Sequence, residues 1–557
     1  MTQGQTPAIY FHPDAVEGTG KDLVGRRSAG QSFLKGFLRH CPGPVINAVT
    51  DGPNGAKAFR DAAAAVGETR PIDTGMLCDG SDFTGPGTIF FPAPGYRNAA
   101  WLRQRFGNTS CSLVGITHTV STRRIIESLH NLMIEPVETW DAIICTSQAV
   151  KSVVTRQFEL ETEFFRQRFG ATRVPLPQLP VIPLGIETAD FAPLPGTRER
   201  MRAAQQTPDD AVVVMTMGRL SVVEKANPLP LFLALEDVAQ RAGKPVHLWM
   251  VGWASRPEEE ALHREGAAKL CPSVYARIID GRDADIRRNI WAGADIFTLP
   301  ADSIQETFGL VPVEAMAAGL PVVMPDWDGF RDTVAHGISG LLIPTRMAPP
   351  GAGEQLARRF ADSRDAYLNY LTLVQSHIQI DVRQYAQALA ALVADAGLRK
   401  TLGQGAMRHA QTRFDWQAVI PQYLALADEL AILRKSGQPT TPKLASGPIS
   451  PLEVDPFDLY SKYPTTLVSG GTIVTLRQMP TLDQMALHDQ ISGRQLYKRA
   501  AFPTELGLRG AAILAENGPL TIAALAQMLQ VASGQVVAMV LTLAKSDIFT
   551  LTDPVSR

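Results

Sequence analysis

The chain has no excess of charge of either sign. Its 53 Lys+Arg against 55 Asp+Glu leave a formal net charge of −2 and a pI of about 6.6. The molecule as a whole therefore has no field to draw it to nucleic acid or to an anionic membrane. Long apolar runs are missing too: none approaches the ~20 residues that cross a bilayer, and the first residues do not read as a secretory leader. The five cysteines (Cys41, Cys78, Cys111, Cys145, Cys271) show no CxxC or metal-ligand spacing and mostly sit in apolar segments. That pattern reads as reduced thiols. These absences give the expectation of a cytoplasmic protein, with at most peripheral contact at the inner membrane face. The Gly-rich loop at 18–25 is neither a GxGxxG nor a P-loop.

A length of 557 residues predicts three or four domains, and 45% hydrophobic with 19% charged residues suits globular ones. Short apolar runs at 8–12, 44–49, 88–91, 111–117, 142–146 and 180–184 read as strands. A helix is expected over 30–40, with Phe33, Leu34, Phe37 and Leu38 on one face. A hinge loop at 184–191 precedes a second alternation, with strands near 211–217, 246–251, 274–279, 294–300, 321–325 and 340–344. Alternating β and α elements predict parallel sheets covered on both faces. Residues 345–380 exceed an ordinary connection and read as an inserted subdomain. A helical stretch at 385–433, containing Trp416, leads into a linker rich in Pro, Ser, Thr and Gly.

The tail has a different character. Residues 455–476 read as short strands around a Gly-Gly turn, and 506–551 as three helices with a closing apolar hairpin at 548–551. This spacing resembles a winged helix-turn-helix. The last of these helices, 533–545, in the recognition position, offers only Lys545 as a cation, too little for phosphate contacts, so an interaction or dimerisation module is expected rather than DNA binding.

One stretch organises the rest: ETFGLVPVEAMAAG, residues 306–319. It follows a strand-like run, so Glu306 is expected in a loop at a strand's carboxyl end. Glu314 is expected in the first turn of a helix over 313–318, with Gly319 at the C-cap. In an open parallel sheet, ligands sit there. Two such carboxylates could hold sugar and ribose hydroxyls, or be a loop Glu and a Glu that favours the helix dipole. Gly218-Arg219-Leu220 ends another strand, and Lys225 follows; Arg219 and Lys225 could pair with a diphosphate or be plain surface cations. His118 follows a first-domain strand and would face the same crevice, or be a satisfied structural group.

Residues 218–344 resemble the donor-binding domain of retaining glycosyltransferases of family 4, which have the GT-B fold. The resemblance is carried by Gly218-Arg219-Leu220, Lys225, Glu306-Thr307-Phe308-Gly309-Leu310, the EAMAAGLPVV run 314–323 and Gly340-Leu341-Leu342. Weaker agreement, at Thr146-Ser147, the hinge at 182–187 and the Trp416 helix, extends it over roughly 8–432. It implies two Rossmann-like doubly wound α/β domains facing a crevice, 1–195 on the acceptor side (with 415–433 crossing back) and 196–414 on the donor side. An insertion at 345–380, a linker at 434–454 and an accessory module at 455–557, winged-helix-like from 506, complete the expected organisation.

The resemblance also implies a nucleotide-diphosphate sugar between the domains. Arg219 and Lys225 would bind the diphosphate, helped by backbone N–H groups from Thr307 and Phe308 to Gly309 and Leu310 beside Gly218. Glu314 would accept from the ribose, Glu306 would hold the donor sugar, His118 would lie near the reacting centre and Gly25 over the phosphates. Transfer would retain the anomeric configuration without cofactor or metal, UDP-sugars being the first candidates and GDP- or ADP-sugars next. The acceptor (glycan, lipid-linked or small molecule) is not readable, and the accessory module suggests a protein partner or self-association. The alternative is a non-catalytic nucleotide-sugar-binding or scaffold protein. Three departures stand out: Arg219 to Lys225 is one residue longer than the common spacing, Ala226-Asn227 replaces a glycine, and Asp326–Asp332 replaces a simple Gly-Gly turn.

Overall fold

The computed structural model describes residues 6–13, 25–96, 98–441, 450–492, 496 and 502–553. It divides into two units, 1–445 and 446–557.

The first unit holds two six-stranded parallel sheets. The first has strands β1 (Ala8–Tyr10), β2 (Ile46–Thr50), β3 (Ile72–Met76), β4 (Thr88–Phe90), β5 (Ser112–Ile116) and β6 (Ala142–Ile144), ordered β3-β2-β1-β4-β5-β6. The second has β7 (Val212–Arg219), β8 (Val246–Trp253), β9 (Tyr275–Asp280), β10 (Ile296–Thr298), β11 (Val322–Pro325) and β12 (Gly340–Ile343), ordered β12-β11-β10-β7-β8-β9. Read from its first strand, each has the same doubly wound order, which switches direction beside β1 in one and β7 in the other. Two such domains in one unit form the GT-B fold anticipated from the sequence.

An aspartate anchors each sheet, Asp141 fully buried and Asp295 mostly so. Asp141, just before β6, accepts from both Arg103 guanidinium nitrogens (2.6 and 2.8 Å) and from the N–H of Leu113 and Glu138 (both 2.8 Å). Asp295, just before β10, accepts from Arg198 (2.7 Å), Arg202 (3.2 Å) and the N–H of Val213 (2.8 Å). Buried charges stabilise only when satisfied in this way, and these two fix the strands that lead to His118 and to Glu306.

The chain crosses back through the hinge. Ile186 and Trp416 exchange backbone hydrogen bonds with Phe414 O and Ile186 O (2.8 and 3.1 Å), and Asp415 accepts from Thr188. The helix Trp416–Ser436 then packs on the first domain with Trp416, Ile420, Tyr423 and Leu430 buried. Trp416 lies between two glycines: a Cβ at Gly36 or Gly185 would come within 2.3 or 2.4 Å of its ring. Its Nε1 donates to Ser32 Oγ at 2.9 Å. Burying an indole removes ~150–250 Å² of surface, several kcal/mol at about 25 cal/mol per Å².

Some sequence expectations change. The run 180–184 is no full strand; it contributes one isolated bridge, Cys145↔Val181, and Gln178 just before it another, to Ala142. Pro177, Pro180 and Pro183 remove the N–H groups a continuous ladder needs. The edge strand β3, IDTGM, was not anticipated, because its half-exposed side chains leave no apolar run. The first helix spans Gly25–His40. Residues 345–380 are closed at the base by β13 (Thr345–Met347) pairing antiparallel with β14 (Ile378–Ile380), and carry the helices Glu354–Ala361 and Tyr367–Gln375.

The second unit packs the helices Thr504–Asn517, Ile522–Leu529 and Ser533–Lys545 on a small antiparallel sheet, around Leu514, Leu525, Val540 and Phe549. The last two helices meet at 115°. The sheet order is β16-β15-β17, from β15 (Ile473–Leu476), β16 (Leu520–Thr521) and β17 (Phe549–Thr552). The stretch expected as strands contains the helix Pro456–Leu459 before β15. The expected closing hairpin is a single strand, β17, which finds its partner in β15 far upstream. Local pattern does not disclose so distant a pairing. Among the described residues no single helix is long and apolar enough to cross a membrane.

Candidate active site at the domain crevice

Gly218, near the end of β7, has φ +145°, and a Cβ on the adjacent Gly252 of β8 would lie 1.8 Å from Gly218 O. Only glycine permits that approach. The chain then turns tightly, with the N–H groups of Lys225 and Ala226 both donating to Ser221 O (3.3 and 3.2 Å). This turn folds the Lys225 side chain back over Gly218, where a Cβ would stand 3.4 Å from Lys225 Cε.

Lys225 Nζ reaches Glu306 Oε2 at 2.7 Å, with the two side chains 26% and 14% exposed. Burial pushes the Glu306 carboxyl up, but the Lys225 charge and hydrogen bond, with the N–H groups of Thr307 and Phe308, outweigh it and hold the carboxyl below its usual range. Arg219 is held by Glu224 at 3.0 Å.

After β10 the loop carrying Glu306 enters the helix Leu310–Ala317 through Gly309, its left-handed N-cap (φ +85°). No side chain caps this helix and no acid occupies its first turn, so its leading N–H groups have no capping partner, as an anion site would require. Glu314 therefore sits in the second turn, one turn later than anticipated, because the helix starts at Leu310 rather than 313. A role as a dipole-stabilising N-terminal Glu falls away. Burial raises its carboxyl to about 7, against the pull of Lys225 and Arg287. Gly319 ends the helix region at φ +83°.

The turn Asp326–Arg331 docks on this loop. A Cβ at Gly329 would lie 2.4 Å from Phe308 Cα, and one at Gly309 would lie 2.3 Å from the Phe330 ring. Asp328 adopts φ +47°. Its carboxyl is pushed well above the usual range, first by burial and then by the charge of Glu306.

The first domain meets this loop directly. Thr307 Oγ1 donates to His118 O at 3.0 Å, and Asp332 accepts from the N–H of Gln148 at the start of the helix Gln148–Phe169. His118 is half-buried just past β5 and lines a cavity of about 50 Å³ with Tyr10, Phe11, Phe91 and Ile116. The structure thus brings Gly218 and Lys225 against Glu306, keeps Arg219 beside them on β7 and Thr307, Phe308, Gly309, Leu310 and Glu314 on the loop and helix that follow Glu306, and joins this loop to the backbone of His118. Gly25 opens the first helix, while residues 18–24 of its loop lie outside the described residues.

Four groups escaped the sequence reading. Asp328 lies in the atypical Asp326–Asp332 run, which was a signal. Arg287, Asp302 and Gln375 had none, since only the folded chain brings them near Lys225 or Glu314.

Residues 211–362, which contain β7 to β12, match the family described as "Glycosyl transferases group 1". The chain is similar to D-inositol 3-phosphate glycosyltransferases. That of Geodermatophilus obscurus is 29% identical over 271 residues, 47% of this chain and 50% of that protein. That of Stackebrandtia nassauensis is 26% identical over 348 residues, 61% of this chain and 67% of that protein. The chain spans about half the length of the first of these curated relatives. Among solved structures, Anabaena HepE in complex with UDP-glucose aligns over 77% of this chain and 100% of that one, at 17% identity and a TM-score of 0.45.

Proposed function

We propose, from a second domain that matches the glycosyl transferases group 1, that the chain moves a sugar from a nucleotide-diphosphate sugar to an acceptor within this crevice. The observation that carries the reading is the Lys225–Glu306 pair at 2.7 Å, set where β7 and β10 end and bridged to His118 through Thr307. Breaking the bond between sugar and phosphate builds negative charge on the departing diphosphate. Arg219, Lys225 and the uncapped N–H groups at Leu310 supply fixed positive charge for it.

A diphosphate takes over the cations that Glu224 and Glu306 now hold. Glu306 is then released to accept hydrogen bonds from the donor sugar, and Glu314 from the ribose hydroxyls. Contacts of Thr307 with His118 draw the domains together and exclude water that would hydrolyse the donor. We read the transfer as retaining and metal-independent, with the protein's own cations serving the leaving group. The acceptor enters from the first domain, beside His118. A non-catalytic scaffold would not need Arg219, Lys225, Glu306 and Glu314 gathered on one face.

The test is hydrolysis and transfer with UDP-, GDP- and ADP-sugars, with and without EDTA, the product's anomeric proton being followed by NMR. Turnover of one donor class, indifferent to EDTA and retaining configuration, is expected. Failure to turn over any of the three overturns the assignment, and an inverted product overturns the retaining mechanism.

A further inference from the structure

We propose that Gln375, in the inserted segment, is a positioning residue that fixes the loop carrying Lys225, so that the insertion sets the geometry of the donor site. The inference rests on the reading of the crevice as a nucleotide-sugar site.

Gln375 ends the helix Tyr367–Gln375 and is only 8% exposed. Its Nε2 donates to Val222 O at 2.9 Å and to Asp302 Oδ1 at 2.7 Å. The same Asp302 oxygen accepts from the N–H of Asn227 at 3.1 Å. Val222 and Asn227 flank Lys225 on either side, so one amide and one carboxylate grip both ends of the segment that holds the lysine. Asp302 is itself 4% exposed and lies on the stretch between β10 and Glu306, so the grip joins the loops of both partners in the Lys225–Glu306 pair.

The other end of the helix touches the first domain. Tyr367 OH and Ser121 Oγ are 2.8 Å apart, and Ser121 stands three residues past His118. The helix therefore spans from the loop after His118 to the loop before Lys225, on a base closed by β13 and β14. Beside it lies a cavity of about 500 Å³, lined by Ser221, Val223, Leu368 and Thr372. Loss of the two hydrogen bonds of Gln375 would leave a half-buried carbonyl and the buried Asp302 carboxylate each short of a donor, and the segment between Val222 and Asn227 would relax.

The test is calorimetric titration of UDP, GDP and ADP into the full-length chain and into Gln375→Leu, Lys225→Ala and the double variant, well below their melting temperatures. A Thr372→Ala control lines the same cavity, but its hydroxyl bonds only within its own helix, to Leu368 O at 2.8 Å. Gln375→Leu is expected to weaken the preferred nucleotide about ten-fold and Thr372→Ala to leave it unchanged. In the Lys225→Ala background the Gln375 substitution should cost nothing more, because its effect passes through the lysine. Equal binding by the native chain and Gln375→Leu, or the same loss with and without Lys225, overturns the positioning role while the donor site stands. If the native chain binds none of the three nucleotides, the donor site itself is refuted and this inference with it.

Discussion

Lys225 reaches across to Glu306 at 2.7 Å, and its charge is what chiefly holds the Glu306 carboxyl below its usual range. With the cation gone, the N–H groups of Thr307 and Phe308 would be left to oppose burial, and the Glu306 carboxyl would lose the largest influence that holds it down. Glu306→Gln keeps the shape and removes the charge. It is expected to lower transfer by about 10²–10³-fold, as is Arg219→Ala, the range typical for removing one preorganised electrostatic group. Steady-state rates of the purified variants, with circular dichroism to verify the fold, check this. Near-native turnover by either would place the chemistry elsewhere.

Glu314 behaves in the opposite sense. Its folded carboxyl is raised to about 7 from an ordinary 4.5, so between those values the folded state holds a proton that the unfolded state has lost. Stability is accordingly reduced as pH rises through that window and stays reduced above it. Glu314→Gln should remove that loss, making the variant more stable than the native chain at pH 8, by on the order of 1 kcal/mol, and little different at pH 4.5. The same substitution should weaken nucleotide binding, because an amide is a poorer acceptor for ribose hydroxyls. Melting curves at the two pH values read the first effect and titration reads the second.

At the scale of elements, the site depends on how closely two loops approach. The turn from Asp326 lies against Thr307 and Phe308 only because Gly329 has no side chain. Gly329→Ala must move backbone rather than a flexible side chain, and is expected to cost ~1–3 kcal/mol while lowering transfer, because Glu306 shifts with the loop. A drop in melting temperature with unaltered transfer would show that the loop's placement is not catalytic.

The same scale shows what the sequence could disclose. The run from Glu306 to Gly319 and the Gly218–Lys225 segment are continuous in sequence, so their chemistry is readable without a structure. The second sheet was legible because its strands read as apolar runs; most are buried, and even the half-exposed edge β9 keeps Ile278 and Ile279. β3 was not, because an exposed edge carries no such run. The start of the Leu310–Ala317 helix escaped because Leu310 and Val311 are equally at home in a loop, which misplaced Glu314 by one turn. Gln375 and Asp302 are 73 residues apart, and no local pattern announces a hydrogen bond over that distance. The same limit hid the pairing of β17 with β15.

At the scale of the whole molecule, the two α/β domains are linked by the hinge near Ile186 and by the returning helix at Trp416. Trp416→Ala should cost ~3–5 kcal/mol as a large buried aromatic. The first unit extends past that helix, since Glu138 accepts from Thr440 N–H and Oγ1 at 2.9 and 2.8 Å. A chain ending at Ala445 keeps those bonds and should bind nucleotide as the full chain does. Loss of binding on that truncation would make residues 446–557 part of the donor-binding unit.

The central claim is that a nucleotide diphosphate binds between Arg219, Lys225 and the start of the Leu310–Ala317 helix. The most direct measurement is titration calorimetry of UDP, GDP and ADP against the native chain and Arg219→Ala. The account predicts saturable binding of at least one nucleotide, weakened ten-fold or more in the variant. Equal affinity in the two proteins, or no binding of any nucleotide by the native chain, would contradict it.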